Sequence, residues 1–180
     1  MGANPSINDE LTGVFNYTYF QEKLKQEVER SNKHGKSFSI VRLDVDNFKI
    51  INENYGFEFG NTILKQISEM LKNTTRGSDV ISRQQAEEFV VMLPEVGLND
   101  AIIFAERVRT RIEASENFGD NVSKLRLTVS MGIVTYSRKD AMELTQMLQL
   151  LDTAVYQAKQ DGRNCIVPYT SFLPPEESYL

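Results

Sequence analysis

At 180 residues, with 41% hydrophobic and 25% charged residues, the chain has the length and make-up of one globular domain with a substantial core. Its net charge of −5 argues against a general nucleic-acid binder and leaves room only for a local basic pocket. One cysteine, Cys165, and one histidine, His34, exclude an intramolecular disulfide and a multi-cysteine zinc site. The opening "MGANPS" reads as a linker remnant, so residues 1–8 are assigned to a linker. From about Tyr17 to Lys33, Phe20, Leu24 and Val28 recur at helical spacing in a charged segment that Gly35 closes. His34 is expected at the surface there. "SFSIVRLDV" (37–45) reads as a mostly buried strand, followed by a turn through Asn47. A helix is expected from about Asn61 to Lys72 with Ile63, Ile67 and Met70 inward. Two strands, roughly Asp79–Arg83 and Glu88–Leu93, flank a tight reversal.

Asn99 is expected to cap a helix whose Ala101, Ala105, Val108 and Ile112 share one face. In "LRLTVSMGIV" (125–134) apolar residues alternate strictly from Leu125 to Ile133, which is strand periodicity. The last helix, about Met142 to Gln160, turns Leu144, Leu148, Leu151 and Val155 inward and ends at Gly162. "CIVPY" gives a final strand with Cys165 as a buried structural thiol, and the Pro- and Glu-rich residues 170–180 read as a loose tail. This order predicts one α/β domain whose mixed sheet carries helices on its faces. No apolar stretch is long enough to span a bilayer and no signal-like segment opens the chain, so the expected setting is cytoplasmic, with no membrane and no nucleic acid as partner.

Asp44 and Asp46 fall where the first long strand ends, and Glu87 and Glu88 fall at the reversal. If the hairpin pairs beside that strand, at least two carboxylates converge at one sheet edge. Taken singly, acids at strand ends are solvated side chains. Hard oxygen ligands from separate segments also suit Mg²⁺, which is held by one or two carboxylates plus substrate phosphates. Lys49 follows the acids, and Lys159 and Arg163 bracket Gly162. By themselves the last two complement a helix dipole. With Lys49 and the acids they outline a metal–triphosphate site.

"DELTGVFNYTYF" (9–20) resembles the "D-x-LTGL-x-N" opening of GGDEF domains, the diguanylate cyclase family. "LDVDNFKIINENYGFEFGN" (43–61), "TVSMGI" (128–133) and "DTAVYQAKQDGRN" (152–164) are similar to its other segments. The resemblance runs from Asp9 to about Val167, so residues 9–169 are assigned to the domain. It implies a fold like that of palm-type nucleotide cyclases and the joining of two GTP molecules into cyclic di-GMP, each domain supplying half of a dimeric site. The signature lands on "QAEEF" (85–89), with both acids kept and both glycines replaced. By resemblance, Asp44, Glu87 and the Val45 carbonyl are metal ligands, with Mg²⁺ required only if GTP binds. Glu88 is the second signature acid, vestigial here. Lys49, Lys159 and Arg163 are phosphate cations, and Asn52 is a guanine contact. Asn61 stands where the family has an Asp, bringing amide donors to a guanine edge that itself donates. Phe57 replaces its His, and Glu53 replaces its Asp.

In the family those glycines let the hairpin backbone lie against the nucleotide. A Cβ at either position takes space the substrate needs, and a displacement of about 1 Å can cost about a hundredfold in rate. Upstream, Arg76 and Asp79 form an R-x-x-D motif with five residues between it and Gln85, the family's spacing for its product-binding inhibitory site. An Arg fork can take a guanine edge or a phosphate, and a carboxylate accepts guanine N–H donors. Arg107 matches a helix-borne arginine that reaches the ligand from a neighbouring domain; Ile103 stands where a second is expected. The leading expectation is a degenerate domain acting as a cyclic di-GMP receptor, fused to or contacting other signalling domains and able to form homodimers. The alternatives are a weakly active diguanylate cyclase, a GTP-binding regulatory domain and an interaction module that binds no nucleotide.

Overall fold

In the computed structural model, which describes residues 6–115, 118, 125–139 and 142–169, a two-residue strand β1 (Phe15–Asn16) leads into α1 (Tyr17–His34). Asn16 Oδ1 caps α1 by accepting the Tyr19 N–H at 2.9 Å. There follow β2 (Phe38–Val45), α2 (Phe48–Tyr55), α3 (Phe57–Lys72), a hairpin of β3 (Val80–Gln85) and β4 (Glu88–Pro94), α4 (Leu98–Glu113), β5 (Val129–Tyr136), α5 (Leu144–Gln160) and β6 (Ile166–Tyr169). The strands form one mixed sheet in the order β1-β3-β4-β2-β5-β6. β2 is antiparallel to both β4 and β5, whereas β1–β3 and β5–β6 pair in parallel.

A helical layer covers each face. Val41, Leu43 and Val45 of β2 pack with Ile63 and Ile67 of α3 and Ala105 and Val108 of α4. Phe38 and Ile40 face the other way, against Phe20 and Leu24 of α1 and Met147 and Leu151 of α5. All eight residues of β2 are therefore buried, including Ser39, Arg42 and Asp44, which interrupt its apolar side chains. Each such fully buried apolar side chain contributes roughly 1.5–3 kcal/mol.

The structure departs from the sequence reading where tertiary partners set boundaries. "FKIINENY" is a helix of its own, α2, and α3 starts at Phe57 rather than Asn61, because Gly56 at φ 88° breaks the two apart. α4 begins at Leu98 with Gly97 as its cap, so Asn99 lies inside the first turn and caps nothing. The alternation from Leu125 is strand only from Val129, the partner of the last β2 residue Val45, beyond which the Asp46 N–H still donates to the Thr128 carbonyl at 2.9 Å. α5 begins at Leu144 and buries Met147 in place of Leu144 and Leu148, which are half-buried, as are Val28 and Met70. Cys165 is also half-buried, its Sγ donating to the Ala158 carbonyl at 3.3 Å. Ile7 and Asn8 bond to the β1 segment. Residues 1–5 of the expected linker and the tail 170–180 lie outside the described residues.

Gly132 sets the distance between β5 and α5. A Cβ there would stand 2.9 Å from the Leu151 carbonyl oxygen, the Val155 nitrogen and the Ala154 Cβ, two of them backbone atoms that cannot swing aside. Gly132→Ala should therefore lower the stability of the domain by about 1–3 kcal/mol, read from urea denaturation midpoints. An unchanged midpoint would show that α5 is not held at this spacing.

Candidate functional site

Along one face of β2 the side chains change from Phe38 and Ile40 to Arg42 and Asp44 as the strand reaches its end. Asp44 pairs in register with Glu88 of β4, so the acids meet at the ends of adjacent interior strands and not at a sheet edge. Asp44 is buried, and its Oδ2 accepts from Lys159 Nζ of α5 at 2.7 Å. Its Oδ1 is buried with no partner. Burial pushes the Asp44 carboxyl up to about 6, Lys159 opposes this, and the charges of Glu87 and Glu88 add to it. The acid is thus under-compensated: the ammonium of Lys159 is set against burial and the two neighbouring carboxylates.

Asp46 does not join them. Its carboxylate accepts from Thr128 Oγ1 at 2.7 Å, Ser130 Oγ at 2.6 Å and the Asn164 N–H at 3.1 Å. Asn164 is held a second time by Arg109 Nη1 at 3.0 Å. Asp46 is therefore a structural tie from the end of β2 to β5 and to the loop after α5. Arg42 was not singled out from the sequence, although an arginine inside "SFSIVRLDV" was a visible anomaly. It is 4% exposed and pairs through Nη1 with Asp152 of α5. Burial draws its guanidinium below the ordinary value, while Glu88, Tyr17 and Asp44 pull it back.

The hairpin closes through Ala86 and Glu87, since Gln85 is a strand residue paired with Glu88 beyond an irregularity between Arg83 and Gln85. Ala86 has φ 40°, in the region that costs a residue with a Cβ about 1–2 kcal/mol. This is the first central position of a two-residue turn, where glycine is wanted. Arg83 holds the strained turn: its Nε and Nη2 donate to the Ala86 carbonyl at 2.8 and 2.7 Å. Arg83 Nη1 lies 3.3 Å from the carboxylate of Asp9, which itself accepts from Thr12. Nothing in the sequence reading pointed to this clamp, which joins the opening "DELTG" segment to the reversal.

Two cavities flank the hairpin. One of about 310 Å³ is lined by Arg42 and Asp44, by Gln84, Gln85 and Glu88, and by Asp152, Tyr156 and Lys159. The other, about 620 Å³, is lined by Lys49, Asn52, Glu53, Phe57 and Asn61 of α2 and α3, with Ala86 and Glu87. The two residues that replace glycine thus border different cavities, Gln85 on the α5 side and Ala86 on the α2–α3 side. Asn52 Oδ1 is buried without a partner. It fits only because residue 60 is glycine, whose absent Cβ would lie 1.9 Å from that oxygen. Lys49 is exposed and 3.8 Å from Glu53, and Phe57 is 78% exposed. Arg163 is exposed at φ 65° and lines neither cavity.

The site's fit to a divalent cation rests on few donors. Among the described residues no three His, Cys, Asp or Glu side chains gather into a metal cluster. The orphaned Asp44 Oδ1 and the neighbouring Glu87, with the Val45 carbonyl next in the chain, are hard oxygens that would leave the remaining positions to water and phosphate, the habit of Mg²⁺.

A third cavity, about 210 Å³, brings together Arg76 and Asp79, Leu93 and Val96 at the far end of β4, and Asp100, Ile103, Phe104 and Arg107 of α4. The sequence-predicted trio is therefore one pocket. Asp79 Oδ2 accepts the Arg76 N–H at 2.7 Å, so one carboxylate oxygen also folds its own loop. Ile103 is 57% exposed in this pocket, and Arg76 and Arg107 are exposed.

Residues 6–165 match the family model described as diguanylate cyclase, GGDEF domain. Over 164 residues the chain is 34% identical to the response regulator PleD of Caulobacter vibrioides, spanning 90% of this chain and only 36% of that relative's length. The diguanylate cyclase SiaD from Pseudomonas aeruginosa, solved in complex with its activator SiaC, superposes with a TM-score of 0.84 at 33% identity, over 91% of this chain and 62% of that one. The GGDEF domain of DgcB from Caulobacter crescentus, solved in complex with c-di-GMP, shares the fold with a TM-score of 0.85 at 19% identity, over 93% and 98% of the two chains.

The raised Asp44 carboxyl makes stability depend on pH. Between its ordinary value of 3.8 and about 6, the native state keeps a proton that the unfolded chain has released, so stability falls as pH rises through that window. Asp44→Asn should raise stability above the window, by at most about 3 kcal/mol, and leave it nearly unchanged below it. Denaturation midpoints of both proteins across the range check this. Equal midpoints at neutral pH would mean that Asp44 is already compensated.

Proposed function

The chain belongs to the GGDEF diguanylate cyclase family, and from that premise we propose that this domain is a cyclic di-GMP receptor, catalytically inactive or nearly so. The observation that carries the reading is the pocket shared by Arg76, Asp79 and Arg107. The R-x-x-D pair comes from the loop before β3, and Arg107 from α4 across the mouth. Arg76 offers a planar donor fork to a guanine edge or phosphate, and Asp79 keeps acceptor capacity for guanine N–H groups. Both lie on the α4 side of the sheet, at the end of β4 opposite the altered hairpin. The loss of the glycines therefore leaves this surface untouched. Ile103, where a second arginine is expected, offers an apolar wall instead. Pairing of two domains across one ligand then depends on Arg107 alone within α4.

The case against catalysis rests on the hairpin. Ala86 places a methyl at the mouth of the α2–α3 cavity, and its carbonyl is fixed by Arg83. Asn61 presents an amide where an acid is expected, and Phe57 an exposed ring. A second reading, GTP bound without condensation, has its own support: Asp44 Oδ1 and Asn52 Oδ1 are buried acceptors still without donors or metal. In that reading Asp44, Glu87 and the Val45 carbonyl hold Mg²⁺, Lys49, Lys159 and Arg163 meet phosphate, and Asn52 and Asn61 meet the base. The proposed setting is cytoplasmic and within a longer signalling protein. Among the described residues no helix is long and apolar enough to cross a membrane.

Calorimetry of the chain against cyclic di-GMP should show binding that Arg76→Ala weakens about ten- to a hundredfold, with Asp79→Ala similar. No binding to the parent, or equal binding to a folded Arg76→Ala, would end the receptor reading. Incubated with GTP and Mg²⁺, the chain should yield no detectable cyclic di-GMP at ordinary enzyme concentrations. The double change Gln85→Gly with Ala86→Gly should restore only part of the family's activity, because Asn61 and Phe57 remain. Robust turnover by the parent would overturn the inactive reading.

A further inference from the structure

Arg42 is a buried guanidinium with the three N–H donors of Nε and Nη2, of its five, unused. Nη1 pairs with Asp152, whose side chain is 61% exposed, while Nε and Nη2 are buried and meet no partner. Charged donors left dry and unpaired are costly unless something completes them. Nε–H and Nη2–H lie along one edge of the planar group, the edge that grips two oxygens of one anion side by side. Arg42 lines the cavity of about 310 Å³ on the α5 side of the hairpin, as does Lys159, and the unpaired edge lies buried behind that wall.

We propose that Arg42 and Lys159 form an oxyanion subsite for a phosphoryl group, with Arg42 as a binding residue that the family signature does not include. A carboxylate would be used up by the fork, whereas a phosphoryl group has a further oxygen for Lys159. Lys159 carries three donors and spends one on Asp44. The cavity walls also hold Asp44, Glu88 and Asp152, so two cations face three acids. A bare anion is opposed by that balance, and a phosphoryl group carrying a divalent cation is admitted. The subsite does not rest on the cyclic di-GMP reading, whose pocket lies across the sheet.

The test follows the Arg42 Nε–H resonance of the ¹⁵N-labelled chain during titration with magnesium pyrophosphate, with Mg²⁺–GTP and with cyclic di-GMP. A saturable shift with pyrophosphate assigns the subsite to a free phosphoryl anion; a shift with GTP only assigns it to a nucleotide's phosphates. Either outcome supports the proposal. Arg42→Lys, which keeps the charge and loses the fork, should weaken that binding at least about tenfold. Asp152→Asn, an exposed change that removes a competing acid, should tighten it about three- to tenfold. The proposal is overturned if neither pyrophosphate nor GTP moves the resonance, or if folded Arg42→Lys binds as the parent does. Should Arg42→Lys not fold, unchanged or weaker binding by Asp152→Asn overturns it instead. A shift with cyclic di-GMP alone also overturns it.

Discussion

A strand buried on both faces carries charge only where something meets that charge, and β2 and the residue after it hold Arg42, Asp44 and Asp46 within five positions. Each is met differently. Asp46 is saturated by two hydroxyls and a backbone N–H, so it contributes rigidity and nothing to binding. Asp44 is half met, by Lys159, and Arg42 is half met, by Asp152. The donors and acceptors left over at these two residues are the raw material of the site. Their desolvation is offset by the apolar cores that fix β2 in the centre of the sheet. α5 supplies both partners, and Gly132 lets it approach closely enough to do so.

The reversal between β3 and β4 is made without glycine. Ala86 keeps a positive φ, and the energy this costs is balanced by two charge-assisted hydrogen bonds from Arg83 to its carbonyl. Arg83 is in turn oriented by Asp9, so the first residues of the fold reach the hairpin through one guanidinium. The turn has therefore been kept rigid while its surface changed. Gln85 and Ala86 alter opposite sides of it.

The sheet separates two cavities with different linings. At the hairpin end, replaced residues cluster around the α2–α3 cavity: Ala86, Phe57, Asn61 and Glu53. At the other end of β4, Arg76, Asp79 and Arg107 gather two guanidinium groups and a carboxylate around one pocket. They share no side chain and lie on separate loops and helices. A substitution at one therefore changes no wall of the other.

Much of this was legible in the residues. Helical spacing gave α1, α4 and α5, and the two apolar runs located the reversal to within one residue: expected at Gln85–Ala86, it closes through Ala86 and Glu87. The motifs from Asp9 to Asn164 identified the family, while the pairing of the hairpin with β2, a condition in the sequence reading, is shown by the structure. Spacing in the chain also placed Arg76 and Asp79 together, because both stand on one loop. What the sequence could not decide was which charges are spent. Asp44 and Asp46 are equivalent letters two positions apart, and only the packing of β5 and the Asn164 loop against one of them makes it structural. Arg42 and Asp152 owe their roles to each other, between β2 and α5, and Arg83 owes its orientation to Asp9, 74 positions away; no local pattern records such pairings. Hydrogen-bond satisfaction is a property of three-dimensional neighbours; the sequence sets which groups need partners, and the fold decides which of them are left with a valence to offer a ligand.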